Sequence, residues 1–182
     1  MKNIFRGIIA VLLVAAGLFV ANGVAQADPY EDIQKYTAKI NQNQNDLESY
    51  YYRGEAYRKL GQYTLAIKDY NKIISINPNL SEPYNSRGVS YYDLGQYELA
   101  IQDYNKAIQL NPSYADAYNN RGCVYGKLRQ YLLAIQDFNK AIQLNSNFSV
   151  AYHNRGVAYQ KLGNMTSANA DFARAKELGY NG

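Results

Sequence analysis

Apolar and polar positions recur along the chain from residue 47 onwards with a period of 34 residues. The segments QYELAIQDYNKAIQLNP at 96–112 and QYLLAIQDFNKAIQLNS at 130–146 match at 14 of 17 positions. Such a period indicates stacked copies of one structural unit. Alignment of the four Arg-Gly pairs gives repeats 1 to 4, at 47–80, 81–114, 115–148 and 149–182.

Two groups of apolar positions lie at helical spacing within each repeat. Counted from the first residue of the repeat, positions 4, 8 and 11 form one group and positions 20, 24 and 27 the other. Gly61, Gly95 and Gly163 separate the two groups, and Pro78 and Pro112 close the first two repeats. The pattern therefore predicts an all-α protein in which every repeat is a pair of amphipathic helices.

The two ends of the array differ from an internal repeat. Upstream, DIQKYTAKI at 32–40 aligns with the second helix of a repeat, which predicts an N-terminal capping helix and linker over 28–46. In repeat 4, Asn169 and Lys176 replace isoleucines that the other repeats carry at the same positions. We therefore expect a polar face on the last helix, as the terminal units of solenoids require.

At these positions the sequence resembles the tetratricopeptide repeat family, which carries aromatic residues, glycine, alanine, a small residue and proline in the same order. The resemblance covers residues 47–182. It departs from the family at position 32, where Ser146 and Tyr180 replace proline, and at position 27, where Ile73 replaces a small residue. The resemblance implies a solenoid of antiparallel helix pairs, with four 34-residue repeats and the capping helix. It also implies a non-catalytic scaffold for protein-protein interaction, which binds a peptide segment or protein surface in its concave groove.

Residues 1–27 differ from the repeats in composition. Lys2 and Arg6 precede an apolar run from Ile8 to Val20, and small residues end the segment. This order is typical of a secretory signal peptide and predicts an exported protein of the periplasm or cell envelope, or a secreted one. The alternative is an uncleaved membrane anchor, although the run is shorter than the roughly 20 residues that span a bilayer.

The charge balance limits the kinds of partner. The chain has 19 basic residues, two of them in the predicted signal peptide, against 15 acidic ones. So mild an excess does not favour nucleic acid or a membrane surface as the partner. We therefore expect a protein or peptide partner, with no membrane contact after removal of the signal peptide.

The Arg-Gly pair of each repeat resembles a binding motif, but the helical wheel favours a structural role. An α-helix turns about 100° per residue, so the arginine at position 7 flanks the packed face of the first helix. Position 23 carries aspartate in every repeat and flanks the packed face of the second helix. We therefore expect bidentate ion pairs between the two helices. The predicted pairs are Arg53 with Asp69, Arg87 with Asp103, Arg121 with Asp137 and Arg155 with Asp171.

A second face of each first helix, at positions 2, 5, 9 and 12, lines the concave groove in proteins of the resembled family. Asparagine amides on this face offer a donor and an acceptor to the backbone of an extended peptide, and small apolar residues suit its aliphatic side chains. The alternative is that the asparagines are solvated helix residues. The predicted groove residues are Tyr51, Asn85, Asn119 and His153 at position 5, and Val89, Cys123 and Val157 at position 9.

Some family members bind the acidic carboxyl terminus of heat-shock chaperones through lysine, asparagine and arginine side chains of the groove. This sequence has different residues there, so that partner is not implied. The residues at those positions are Tyr51, Glu55, Ser86, Asp116 and Asn120.

The sequence offers no constellation of residues for catalysis. His153 is the only histidine, and neither a cysteine nor a carboxylate stands four residues from it. There is no glycine-rich phosphate loop. We therefore predict no enzyme activity, no metal site and no cofactor.

Cys123 is the only cysteine and is predicted to be a small groove residue. An alternative is a disulfide between two chains in an oxidising compartment, and hence a homo-oligomer. The alternative function is then a structural, self-associating envelope protein without a peptide ligand. Sequons begin at Asn79, Asn147 and Asn164 in predicted turns, and they matter only if the source glycosylates exported proteins.

Overall fold

A computed structural model of the protein describes residues 28–181. Within this range the chain forms nine α-helices and no strand, and eight of the helices form four antiparallel pairs. The predicted all-α solenoid with an N-terminal capping helix is thereby confirmed. The predicted signal peptide, 1–27, lies outside the described residues. The helices are α1 (Pro29–Gln42), α2 (Leu47–Lys59), α3 (Tyr63–Ile76), α4 (Ser81–Asp93), α5 (Tyr97–Leu110), α6 (Ala115–Lys127), α7 (Tyr131–Leu144), α8 (Ser149–Lys161) and α9 (Met165–Glu177).

A tight turn joins the two helices of each pair. After α2, the N–H of Gly61 donates to the carbonyl of Arg58 at 3.0 Å, and the N–H of Gln62 donates to the carbonyl of Tyr57 at 2.8 Å. These two bonds form a Schellman motif, which requires a left-handed residue at the glycine position, and Gly61 has a φ of 71°. In repeat 3 this residue is Arg129, with a φ of 59°. A side chain in this region costs roughly 1 kcal/mol.

The two helices of a pair approach closely because position 8 is glycine. A Cβ atom built on Gly88 would lie 2.8 Å from the ring of Tyr104, and one built on Gly122 would lie 2.7 Å from the ring of Phe138. Both rings are almost completely buried. The core of each pair is therefore an aromatic ring of the second helix that lies directly on the glycine of the first.

α1 occupies the place of a second helix ahead of repeat 1. Ile40 of α1 is buried against Tyr50 and the other core residues of repeat 1. The side chain of Asn43 accepts a hydrogen bond from the N–H of Asn45 at 3.0 Å, in the same turn that ends α3, α5 and α7. The amino end of the array is thus covered by one helix that imitates half a repeat.

The last helix ends differently. After α9 the chain makes a Schellman motif at Gly179, where φ is 88°, and the N–H of Tyr180 donates to the carbonyl of Ala175 at 3.0 Å. This turn directs Tyr180 back towards α8, which explains why a tyrosine replaces proline at position 32. Asn169 and Lys176 of this helix are exposed.

The first helices of the pairs form the inner surface of the solenoid. Among the described helices, α2, α4, α6 and α8 contact one another in succession, whereas α3, α5, α7 and α9 of consecutive repeats do not. A stack of helix pairs that is closer together on one side curves towards that side. The concave surface of α2, α4, α6 and α8 is called the groove below.

Candidate binding groove

A pocket of about 390 Å³ opens in the groove between α6 and α8. Phe138 and Ala158 are buried at its floor, whereas Lys127 and Lys161 are exposed and stand at its rim. A volume of this size is within the range of ligand-binding clefts. The remaining lining residues are Tyr92, Cys123, Gly126, Tyr131, Asn154 and Val157.

Gly126 leaves the space that forms this pocket. It stands at position 12, where the other repeats carry Arg58, Tyr92 and Gln160. A Cβ atom built on Gly126 would meet no atom within 4 Å. Glycine inside a helix costs about 1 kcal/mol relative to alanine, and no positive φ requires it at this position. The structural effect of Gly126 is therefore the empty volume beside it.

Cys123 and Tyr92, two titratable residues of the pocket, are neutral near pH 7. Burial raises the pKa of the Cys123 thiol to about 11, and the nearby charge of Lys127 lowers it only in part. Burial, together with the proximity of Cys123, raises the pKa of Tyr92 to about 12. The Nδ2 atom of Asn154 lies 3.3 Å from the sulfur of Cys123. The interior is therefore an uncharged surface, and the rim lysines supply the charge of the pocket.

An ion pair occupies the groove in repeat 1. The side chain of Glu55, at position 9, accepts hydrogen bonds from Nη2 of Arg58 at 2.7 Å and from the hydroxyl of Tyr70 at 2.6 Å. Burial raises the pKa of Glu55, but the hydrogen bonds from Arg58 and Tyr70 outweigh it, so that the pKa lies below its ordinary value. The apolar strip at position 9 is thus confined to repeats 2, 3 and 4.

The asparagines predicted to line the groove form a ladder between repeats. Nδ2 of Asn120 donates to Oδ1 of Asn85 at 3.1 Å, and Nδ2 of Asn154 donates to Oδ1 of Asn119 at 3.1 Å. Asn85 is 8% exposed and Asn119 is 6% exposed. These amides are therefore neither an open line nor solvated helix residues, because position 6 of each following repeat covers them.

Tyr51 and His153, the end members of the position 5 line, also contact neighbouring residues. The hydroxyl of Tyr51 accepts a hydrogen bond from Oγ of Ser86 at 3.4 Å. The ring of His153 stacks on Tyr180, with 4.2 Å between the ring centroids. Val89, Cys123 and Val157 are half-buried, and Cys123 and Val157 share the pocket. Of the predicted groove residues, the structure thus brings Cys123 and Val157 into one pocket.

The arginines at position 7 lie away from the groove, each against an aspartate of its own pair. In repeat 3, Nε and Nη2 of Arg121 donate to the two carboxylate oxygens of Asp137 at 2.8 Å and 2.7 Å. Nη1 of the same arginine donates to Asn105 of α5, in the preceding repeat. One guanidinium group therefore connects three helices. The same bidentate contact occurs between Arg53 and Asp69, Arg87 and Asp103, and Arg155 and Asp171.

Several residues that line the pocket were not predicted from the helical wheel. Lys127 and Lys161 stand at position 13, which is not one of the predicted groove positions, and Gly126 is a glycine inside a helix. A comparison of position 12 between repeats would have found Gly126, because only repeat 3 lacks a side chain there.

Within 28–181, no three histidine, cysteine, aspartate or glutamate side chains lie close enough to hold a metal ion. None of the helices in this range has the length and apolar character needed to cross a membrane.

Family models match the repeats directly. The tetratricopeptide repeat model matches residues 47–80 and 115–148, related tetratricopeptide repeat models match 69–102 and 149–178, and a TPR repeat model matches 88–128. These matches together extend over residues 47–178. This region belongs to the tetratricopeptide repeat family.

Solved structures of MamA share the tetratricopeptide repeat fold of this chain. A crystal structure of MamA is 29% identical, with a TM-score of 0.71, over 80% of this chain and 85% of that one. A second crystal structure of the MamA protein is 29% identical, with a TM-score of 0.69, over 80% of both chains. MamA from Desulfovibrio magneticus RS-1 is 22% identical, with a TM-score of 0.74, over 96% of this chain and 92% of that one, and shows the fold alone. No curated protein sequence matches the chain.

Tetratricopeptide repeat proteins are generally non-catalytic scaffolds that bind other proteins. The repeats and the MamA-like fold support a protein-interaction scaffold as the function of this chain.

Proposed function

We propose that the chain binds an extended peptide segment of a partner protein in the groove. The observation that carries this proposal is the pocket of about 390 Å³ between α6 and α8, on the inner surface of the solenoid. A concave, mostly apolar cleft with a few polar groups is the ordinary form of a binding site.

In this proposal the groove residues have two roles. Val89, Cys123 and Val157 receive apolar side chains of the peptide, because they are half-buried and uncharged. Asn85 and Asn119 hold consecutive first helices in register through their bonds to the next repeat, and so keep the groove in one shape. Tyr51 and His153 lie at the two ends of the groove.

Photo-crosslinking tests which face binds. A photoreactive amino acid replaces one residue at a time: Gln160 in the groove, Gln136 on the outer face of α7, or Leu132 at the edge of the solenoid. All three residues are exposed, so the substitutions disturb the fold little. We expect the photoreactive residue at position 160 to crosslink a peptide of the partner protein, which mass spectrometry identifies. We expect no such crosslink from the other two positions.

Two outcomes contradict groove binding. Crosslinks from Gln136 or Leu132 with none from Gln160 would place the partner on another face. Crosslinks only between copies of this chain would favour a self-associating structural protein.

We further propose that the chain is exported, on the basis of residues 1–27 alone. Small residues at Ala25 and Ala27 favour cleavage after Ala27. The intact mass of the protein from its source tests this: a chain that begins at Asp28 supports export. A chain that keeps residues 1–27 and sediments with membranes contradicts cleavage and favours an anchor.

A further inference from the structure

The pocket between α6 and α8 has positive charge at its rim. Lys127 is the last residue of α6 and Lys161 is the last residue of α8, and both are exposed. Within residues 28–181, no carboxylate lies within 4 Å of either ammonium group. Two cations therefore stand beside an uncharged apolar cavity without an anionic partner in the described part of the chain.

Repeat 2 carries a carboxylate at the position that the two lysines occupy in repeats 3 and 4. Asp93 ends α4 at the same position as the two lysines, is exposed, and forms no ion pair within the described residues. The charge at the ends of the first helices thus changes from negative in repeat 2 to positive in repeats 3 and 4. An anionic group bound at the pocket is favoured on the side of α6 and α8.

The helix dipole is a separate reason for lysines at these helix ends. A lysine in the last turn of a helix complements the helix dipole. Lys59 does so at the end of α2 and does not line this pocket. Lys59 therefore serves as a matched control, since it has the same place in its helix and lies away from this pocket.

We propose that this pocket binds an aliphatic side chain of an internal peptide segment whose neighbouring residues are acidic, with the acidic carboxylates paired to Lys127 and Lys161. This rests on the proposed function, because it requires a peptide in the groove. The apolar floor at Phe138 and Val157 stabilises an aliphatic side chain by removing its surface from water. The same floor disfavours a charged side chain, which would lose its hydration without gaining a partner.

The test uses synthetic peptides on the full chain. The first peptide has leucine between two glutamates in a glycine-serine background, with both termini blocked. In the second peptide both glutamates are replaced by glutamine, and in the third both are replaced by lysine. The fourth peptide has glutamine before the leucine and ends at the leucine with a free carboxyl terminus. Fluorescence anisotropy gives each affinity, and protection of Cys123 from alkylation reports whether the peptide occupies the pocket.

We expect the glutamate peptide to bind at least 10-fold more tightly than the glutamine peptide, and the lysine peptide to bind least. Its affinity should fall as salt rises, and it should protect Cys123. Tighter binding by the free carboxyl terminus than by the glutamate peptide would overturn the assignment to an internal acidic segment. Equal binding by the glutamate and glutamine peptides would remove the role of the lysines.

Variants of the pocket supply an independent readout. Tyr92 shows that a tyrosine is accommodated at position 12, so Gly126→Tyr should fold and fill the cavity, with Gly126→Ala as its control. We expect Gly126→Tyr to weaken binding of the glutamate peptide at least 10-fold and Gly126→Ala less than 2-fold. Lys127→Met with Lys161→Met should weaken it at least 5-fold, and Lys59→Met less than 2-fold. Equal losses from Lys59→Met and from the double variant would overturn the proposal.

The outcomes separate this inference from groove binding in general. If the four peptides bind alike and crosslinks still form at Gln160, the groove binds and the pocket preference is wrong. If no crosslink forms in the groove and no peptide protects Cys123, both proposals fail.

Discussion

Two glycines of the first helices show at the residue scale how a missing side chain can act in different ways. Gly88 permits contact, because the ring of Tyr104 occupies the place that a Cβ atom would take. Gly126 leaves a cavity, because nothing occupies the corresponding place. The first glycine therefore holds a helix pair together, and the second shapes the groove surface.

This difference predicts opposite effects of one substitution. We expect Gly88→Ala to lower the free energy of unfolding by about 2 kcal/mol, since the added carbon must displace a buried ring. Gly126→Ala should raise it by roughly 0.5–1 kcal/mol, since alanine favours a helix over glycine. Urea denaturation of both variants measures the effect. A stability loss in both would mean that the position 12 cavity is smaller than the structure shows.

Cys123 is predicted to be an unreactive thiol. Its pKa rises from 9.0 to about 11 through burial, and only the thiolate reacts with alkylating agents. Because the thiolate fraction at neutral pH falls about tenfold per pKa unit, iodoacetamide should modify Cys123 about 100-fold more slowly than a free cysteine. The rate should rise with pH until about pH 11. A rate equal to that of free cysteine would contradict the burial of the Cys123 thiol. It would then favour the alternative of a disulfide between two chains.

At the scale of elements, the arginine at position 7 is the link between neighbouring helix pairs. Arg121 of α6 bonds to Asp137 of α7 and to Asn105 of α5, and its guanidinium lies 5.6 Å from the ring centre of Tyr118. The side chain of Arg121 is 18% exposed and that of Asp137 is 8% exposed. A half-buried charge of this kind is stabilised only while its partner is present.

Arg121→Ala should therefore lower the free energy of unfolding by about 1–3 kcal/mol and leave partner affinity nearly unchanged. The double variant with Asp137→Ala should lose less than the sum of the two single losses, because each single variant leaves one charge unpaired. Thermal or urea unfolding of the four proteins measures this coupling. Additive losses would show that the pair contributes nothing as a pair.

At the scale of the whole molecule, the groove can be compared with another exposed apolar surface of residues 28–181. This second surface is an edge of leucines at the starts of the second helices. Exposed leucines are common on protein surfaces and do not alone mark a binding site. The groove combines an apolar pocket with two lysines at the pocket rim, a combination that the leucine edge lacks. The edge consists of Leu65, Leu99, Leu132 and Leu133.

The fold was predictable from the sequence because the same pattern of helix-forming and core residues occurs in four repeats. The 34-residue period, the glycine at position 8 and the aromatic residue at position 24 determine one helix pair, and stacking follows. The helical wheels of the two helices also predicted that the arginine at position 7 meets the aspartate at position 23, since both residues lie within one repeat.

The groove surface was less predictable because it depends on contacts between repeats. The burial of Asn85 by Asn120 depends on how far one pair rotates against the next, which no helical wheel of a single repeat contains. The pocket at Gly126 has the same origin, since residues of three repeats line it. The return of Tyr180 over His153 follows from the final Schellman motif, where position 32 no longer leads into another repeat.

The central claim is that the concave face of α2, α4, α6 and α8 binds the partner. The most direct test is amide hydrogen exchange of the full chain, measured alone and in complex with the partner that crosslinking identifies. Helices that contact a bound partner open less often and therefore exchange more slowly. The account predicts slower exchange in α4, α6 and α8, with little change in α5, α7 and α9. Slower exchange confined to the second helices or to the leucine edge, with the first helices unchanged, would contradict it.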